Sequence, residues 1–250
     1  MSMCDGDPIS PAAAKSRDKP WFGGREFVII GHRGVAAHAP ENTLRGAERA
    51  LEMRVDAIEV DVRKSRDGFV LMHDSTVDRT TNGHGRVSSM SLSELRALDA
   101  GNGERVPRVD EFLEVIPPPT VANLELKVAE AAACLEGLKF DTRRLLVSSF
   151  HRAALASASR YETGARLALA IDRWSPETLV DFDQVELHFI CMDHRAVTSR
   201  IVTQVRGAGL ELLAYTVNSA SRARQLREME VLGVFTDDPV SVSHRACTLI

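Results

Sequence analysis

The chain has 250 residues, 44% of them hydrophobic and 26% charged, with a formal net charge of −4. This is the composition of a globular protein with a full core, and it excludes collagen-like, coiled-coil and mostly disordered chains. No apolar run approaches the roughly 18 residues that cross a bilayer, so no integral membrane association is expected, and the mild negative charge gives no general attraction to nucleic acid.

Residues 1–24 are rich in Pro, Ala, Gly and charge and read as an irregular N-terminal extension without the apolar stretch of a secretory signal. Cys4, Cys134, Cys191 and Cys247 form no CxxC pair. They read as free thiols, and a cytoplasmic location is the default. From residue 27 onward, short β-branched runs alternate with helical patterns. Strands are expected over 27–30, 57–62, 69–72, 121–126, 145–148, 165–170, 185–191, 210–217 and 233–235. Helices are expected over 43–53, 92–98, 109–115, 129–137, 153–159, 196–207 and 219–230. Asn42 or Thr43 can cap the first helix, and Asn218 or Ser219 the last. Ser91 and Glu94 have capping-box spacing.

Asp67-Gly68 is a hairpin signal, so the second and third strand candidates pair antiparallel. Eight strands remain, most followed by a helix, which is the arithmetic of an α/β (β/α)₈ TIM barrel. Residues 25–250 then form a single barrel domain. A small insertion, at about 74–119, lies between the hairpin and the next barrel strand. A doubly wound open sheet is the alternative.

Polar residues gather at the C-terminal ends of the apolar runs: His32-Arg33, His73-Asp74, Ser148-Ser149, Asp193-His194, Thr216-Val217-Asn218 and Thr236-Asp237-Asp238. In a parallel barrel those ends share one rim, where catalysis takes place. Strand alternation puts Glu59 and Asp61 on one face, and likewise Glu125 and Lys127. Carboxylates facing a barrel interior are costly unless paired or bound to a cation. Glu59, Asp61 and Glu125 have no cysteine beside them, so one hard divalent ion, Mg²⁺ or Ca²⁺, suits them better than zinc. With such an ion, Arg33 and Lys127 leave the site one positive unit in excess, which a phosphodiester neutralises. His32 and His73 supply two imidazoles able to act as acid and base near neutral pH. Ser149 with His151 lacks a nucleophile elbow, and Gly83-His84-Gly85 lacks the Lys-Ser/Thr of a phosphate loop. Pro40-Glu41-Asn42-Thr43 reads first as the start of a helix, with a substrate role for Glu41 secondary.

The segment GHRGVAAHAPENTLRGAERAL resembles the HRG…PENT opening of the glycerophosphodiester phosphodiesterases. IEVDVRKSRDGFVLMHD is similar to the family's E-x-D, hairpin and HD segment, and STVDRTTNGHGRVSSMSLSELRALDAG to its RTT-x-G-x-G and LDAG stretch. NLELK, VSSF, YTVN and GVFTDDP resemble its later strands. The resemblance implies a TIM barrel, and a divalent metal held at positions matching Glu59, Asp61 and Glu125. It also implies a catalytic pair at His32 and His73 and phosphate contacts from Arg33 and Lys127. Phe150, in the VSSF segment, and Tyr215, where the family often has Trp, fall on the substrate side of the pocket. The implied reaction cleaves a glycerophosphodiester, a small-molecule phosphodiester substrate, into an alcohol and sn-glycerol 3-phosphate. Attack by the neighbouring glycerol hydroxyl is followed by hydrolysis of a cyclic phosphate. The alternatives are a lysophospholipase D or sphingomyelinase-D-like lipid phosphodiesterase, or a non-catalytic phosphodiester-binding barrel. The sequence leaves the oligomeric state, the leaving alcohol and the metal open.

Overall fold

A computed structural model describes residues 21–243, apart from 181 and 183. Cys4, Cys247 and residues 1–20 of the expected extension lie outside the described residues. The described residues form nine strands: β1 (Val28–Gly31), β2 (Ala57–Lys64), β3 (Phe69–Leu71), β4 (Val121–Leu126), β5 (Leu145–Ser149), β6 (Arg166–Ile171), β7 (Phe189–Asp193), β8 (Glu211–Tyr215) and β9 (Gly233–Thr236). β3 pairs antiparallel with β2 across the Asp67-Gly68 turn, where the Ser65 N–H donates to the Gly68 carbonyl at 2.9 Å. The other strands run parallel in the order β1-β9-β8-β7-β6-β5-β4-β2, and β1 pairs with β2 to close the ring. Closure makes this a (β/α)₈ barrel and removes the open-sheet alternative.

Helices α1 (Leu44–Glu52), α2 (Leu92–Arg96), α3 (Val109–Glu114), α4 (Arg152–Ser159), α5 (Ser199–Gly207) and α6 (Ala220–Glu228) follow the expected pattern, α7 (Pro239–Val242) adds to it, and three segments differ. The segment expected as a helix over 129–137 is a 3₁₀ helix, Ala129–Leu135. Its buried residues, Ala131 with Cys134 and Ala132 with Leu135, repeat every three positions, the 3₁₀ period. The strand expected from 185 starts at Phe189, because the Val185 N–H is held in a turn by the Phe182 carbonyl at 3.0 Å. The helix expected from 196 starts at Ser199, where the Thr198 hydroxyl accepts from the Ile201 N–H. No helix among the described residues is long and apolar enough to cross a membrane.

Alternation along the strands splits the core into two layers. Ile58, Val60, Val62, Leu124 and Leu126 face outward and pack under the helices with Ala47, Ala50, Phe112 and Leu155. Val28, Ile30, Ala57, Val121, Leu146, Phe189, Leu213 and Phe235 fill the barrel interior. The end of the expected extension is part of this interior. Trp21–Gly24 forms a tight turn, left-handed at Phe22 and Gly23, that puts both Trp21 and Phe22 against Phe189, the first residue of β7, sealing the N-terminal end of the barrel. The insertion has its own small core of Val77, Val87, Leu95, Ala100 and Val106 on Val70 and Met72 of the hairpin. Ser91 and Glu94 make the expected capping box there. Phe112 and Leu113 of α3 pack in the barrel's outer layer.

Candidate active site

The opposite rim surrounds a cavity of about 270 Å³. Its lining includes all nine residues singled out from the sequence: His32, Arg33, Glu59, Asp61, His73, Glu125, Lys127, Phe150 and Tyr215. Register brings the carboxylates together. Asp61 on β2 lies beside Glu125 on β4, with Glu59 two residues earlier on the same inward face. One oxygen from each of the three lies within 4.8 Å of the others.

The three carboxylates are not equally satisfied. Asp61 accepts from Asn42 Nδ2 at 2.8 Å and lies 3.2 Å from Lys127 Nζ. Burial pushes its carboxyl up, but Lys127 and Arg33 outweigh burial and hold it below the usual carboxylate value. Glu125 accepts from Lys127 Nζ at 2.6 Å. Glu59 Oε2 accepts from the Arg33 N–H at 2.8 Å, whereas Glu59 Oε1 is buried without a hydrogen-bond partner. Burial and the adjacent Asp61 charge push the Glu59 carboxyl up to about 8. A buried, unpaired carboxylate oxygen is costly. A hard divalent cation between Glu59, Asp61 and Glu125 would supply the missing partner, so these residues fit the expected ion.

The turn after β1 sets His32 and Arg33. A Cβ on Gly31 would lie 2.1 Å from the Gly34 carbonyl oxygen, so only glycine fits. Arg33 itself is left-handed, at φ 53°, which aims its N–H at Glu59. The Arg33 guanidinium donates to Glu41 Oε1 at 2.9 Å and lies 3.4 Å from Asp61 Oδ2. His32 Nδ1 is 2.7 Å from Asp237 Oδ1, just past β9. Asp237 is fixed in turn, its Oδ2 accepting from Asn218 Nδ2 at 2.7 Å and its N–H donating to Asn218 Oδ1 at 2.9 Å. Burial lowers the His32 imidazole, but the Asp237 hydrogen bond and the Glu59 charge carry it above the ordinary 6.5.

His73 follows the hairpin rather than a barrel strand. Its Nδ1 is 2.7 Å from Asp74 Oδ1, and its carbonyl accepts from Arg63 Nε at 2.9 Å and Nη2 at 2.6 Å. Phe150 and Tyr215 form one wall, edge to face with centroids 5.6 Å apart. Tyr215 Oη donates to the Ile171 carbonyl at 2.8 Å, and Lys127 Nζ sits 6.0 Å from the Phe150 centroid.

Several polar supports escaped the sequence reading. Asn42 does not cap α1. It is left-handed, at φ 57°, and clasps Asp61, while the Thr43 hydroxyl takes the cap by accepting from the Gly46 N–H at 3.0 Å. Asn218 turns to Asp237, and Ser219, before α6, makes no side-chain cap bond. Helix-start composition describes Asn42 and Asn218 equally well as caps, so only the tertiary partner separates the roles. Ser149 is buried and donates to the Leu126 carbonyl at 2.6 Å, so it is not an exposed nucleophile. Cys191 lines the cavity, but burial raises its thiol well above 9.0.

Comparison with known proteins gives the same picture. Residues 32–241 match the model of the glycerophosphoryl diester phosphodiesterase family. A glycerophosphodiester phosphodiesterase of Caldanaerobacter subterraneus subsp. tengcongensis is 29% identical over 230 residues, 85% of this chain and 94% of that protein. One from Bacillus subtilis is 26% identical over 264 residues, 92% of this chain and 90% of that protein. Among solved structures, an Oleispira antarctica phosphodiesterase in complex with the product sn-glycerol-3-phosphate superposes with a TM-score of 0.79 at 29% identity, covering 86% of this chain and 94% of that one.

Proposed function

This chain belongs to the glycerophosphoryl diester phosphodiesterase family and is a phosphoric diester hydrolase, and we propose that it cleaves glycerophosphodiesters into an alcohol and sn-glycerol 3-phosphate with one divalent ion and a pair of histidines. One observation carries this reading: two imidazoles, each paired through Nδ1 to an aspartate, share a cavity with Arg33, Lys127 and a carboxylate cluster that has one buried oxygen unpartnered. The sn-glycerol-3-phosphate bound by the Oleispira antarctica relative supports the choice of product.

Glu59, Asp61 and Glu125 would hold Mg²⁺ or Ca²⁺, which would supply positive charge to a bound phosphate and make a nearby hydroxyl more acidic. Arg33 and Lys127 bind the phosphate. The hydrogen bond from each Nδ1 to its aspartate leaves Nε2 as the working nitrogen. One histidine takes the proton of the glycerol hydroxyl as its oxygen attacks phosphorus. The other gives a proton to the leaving alcohol. In the second step the roles reverse: water attacks the cyclic phosphate and the ring oxygen leaves protonated. Phe150 and Tyr215 border the leaving group. The buried free thiols of Cys134 and Cys191 support a cytoplasmic location.

The test is product analysis with glycerophosphocholine, glycerophosphoethanolamine, glycerophosphoglycerol and a lysophospholipid, each with Mg²⁺, Ca²⁺ or EDTA. The reading requires sn-glycerol 3-phosphate and free alcohol from at least one glycerophosphodiester, with either ion and not with EDTA. Turnover of the lysophospholipid alone would move the activity to lipids. EDTA-resistant turnover would remove the metal.

A further inference from the structure

Arg79 lies in the insertion, in the RTT segment, and takes no part in the chemistry described above. Its guanidinium is the centre of a chain of alternating charges. Nη1 and Nη2 grip the two oxygens of Glu41 at 2.8 Å each, and Nε donates to Asp74 Oδ2 at 2.5 Å. Glu41 Oε1 also accepts from Arg33 Nη1 at 2.9 Å, and Asp74 Oδ1 is 2.7 Å from His73 Nδ1. One side chain therefore links the phosphate-binding arginine to one of the two histidines. The loop that carries it is itself fixed: the Thr81 hydroxyl donates to the Val77 carbonyl at 2.8 Å and accepts from the Gly83 N–H at 3.1 Å.

We infer that Arg79 is a positioning residue that sets the rotamers of His73 and Arg33 together, through Asp74 and Glu41. The inference rests on the reading of His73 and Arg33 given above. A guanidinium fork can hold two carboxylates at fixed angles, which an ammonium cannot. Arg63 already fixes the His73 carbonyl, so the freedom left to His73 is rotation of its own ring. Asp74 restrains that rotation and keeps the proton on Nδ1, and Asp74, itself about a third exposed, has its other oxygen held by Arg79. Glu41 stands between two guanidiniums and orients both.

The test compares Arg79→Ala and Arg79→Lys with Glu41→Gln and Asp74→Asn in the full chain. Arg79→Ala is expected to lower kcat/KM at least about tenfold, as outer-shell partners of functional histidines do, with kcat falling and KM rising together. Asp74→Asn should fall mainly in kcat and Glu41→Gln rise mainly in KM. Each should be non-additive with Arg79→Ala. Arg79→Lys should recover less than half of the loss on a logarithmic scale, since it keeps the charge without the fork. Nitrogen NMR of the His73 ring, assigned by its disappearance in His73→Gln, gives a readout independent of turnover. The wild type should show the Nδ1-protonated tautomer, and Arg79→Ala a mixture. An unchanged tautomer, or a fall in kcat at constant KM with proportionally fewer binding sites for sn-glycerol 3-phosphate, would make Arg79 a purely structural staple and overturn the inference. If the wild type hydrolyses no diester, the proposed function fails while the NMR comparison still decides the role of Arg79.

Discussion

The two histidines face one cavity but are held in opposite ways. His32 leaves the end of a barrel strand, its N–H donates to the Thr236 carbonyl on β9, and its aspartate comes from the next turn of the same barrel. Asp237 is clasped on its second oxygen by Asn218, from the segment that follows β8. His73 leaves a hairpin strand on the outside of the barrel, and its aspartate is the next residue in the chain. That aspartate is held from the solvent side by Arg79 of the insertion. The strand ladder places one histidine, and a side-chain network must place the other. A ladder is cooperative and buried, whereas a rim ion network competes with water and salt.

Loss of either imidazole is the largest effect expected. His32→Ala and His73→Ala should each lower kcat by about 10²–10⁴-fold while leaving cation binding in place. A substrate with a very good leaving group, such as a p-nitrophenyl diester, should suffer less from loss of the acid than of the base, which assigns the two roles. Near-wild-type turnover in both variants would make the histidines structural.

The aspartates should separate the two arms. Asp237→Asn should cost more in kcat than Asp74→Asn, by roughly tenfold, because Asn218 fixes Asp237 through both its side chain and its backbone N–H, whereas the second Asp74 oxygen is held by the half-exposed Arg79. The Asp237 hydrogen bond helps to hold His32 above 6.5, so removing it should move the His32 limb of the pH–kcat/KM profile to lower pH. Equal losses in the two variants would erase the distinction between ladder and network.

Cation removal comes next. Between its ordinary 4.5 and about 8, the Glu59 carboxyl keeps in the folded, cation-free protein a proton that the unfolded chain has released. Stability without cation should therefore fall as pH rises through that window. Bound cation displaces the proton, so the Tm gain from saturating Mg²⁺ or Ca²⁺ should be greater at pH 8 than at pH 6, and calorimetry should record proton release on binding. Glu125→Ala should lose most of the affinity. A Tm gain independent of pH would detach Glu59 from the ion. The smallest effect is expected at the aromatic wall. Phe150 is 42% exposed, so Phe150→Ala should change KM by a few-fold, differently for each leaving alcohol, with Tm nearly constant. A uniform change across alcohols would remove Phe150 from the leaving-group side.

The barrel was legible because its periodicities are local. Period-two alternation in AIEVDV and NLELK assigns each side chain to a face without reference to the rest of the chain, and Asp67-Gly68 marks the one strand to be left out of the ring. Eight of the nine expected site residues meet in the cavity for the same reason, since closing eight parallel strands brings their C-terminal ends to one rim, and His73 reaches it from the hairpin. The same local logic could not choose between Asn42 and Thr43 for the first cap, nor between Asn218 and Ser219 for the last, because a polar residue before a helix looks alike whether it bonds to its own helix or to a distant carboxylate.

Sequence alone thus determined the strand faces, the hairpin and the chemical types gathered at the rim, all set by spacing over two to six residues. Tertiary structure decided which partner each of those groups keeps. It left Glu59 with an unmet oxygen while Asp61 and Glu125 found donors, gave His32 and His73 their separate aspartates, and tied Arg79 to a glutamate 38 positions back along the chain. Those outcomes depend on ångström-scale distances between segments far apart in sequence, and no local pattern encodes such distances until the ring of strands has closed.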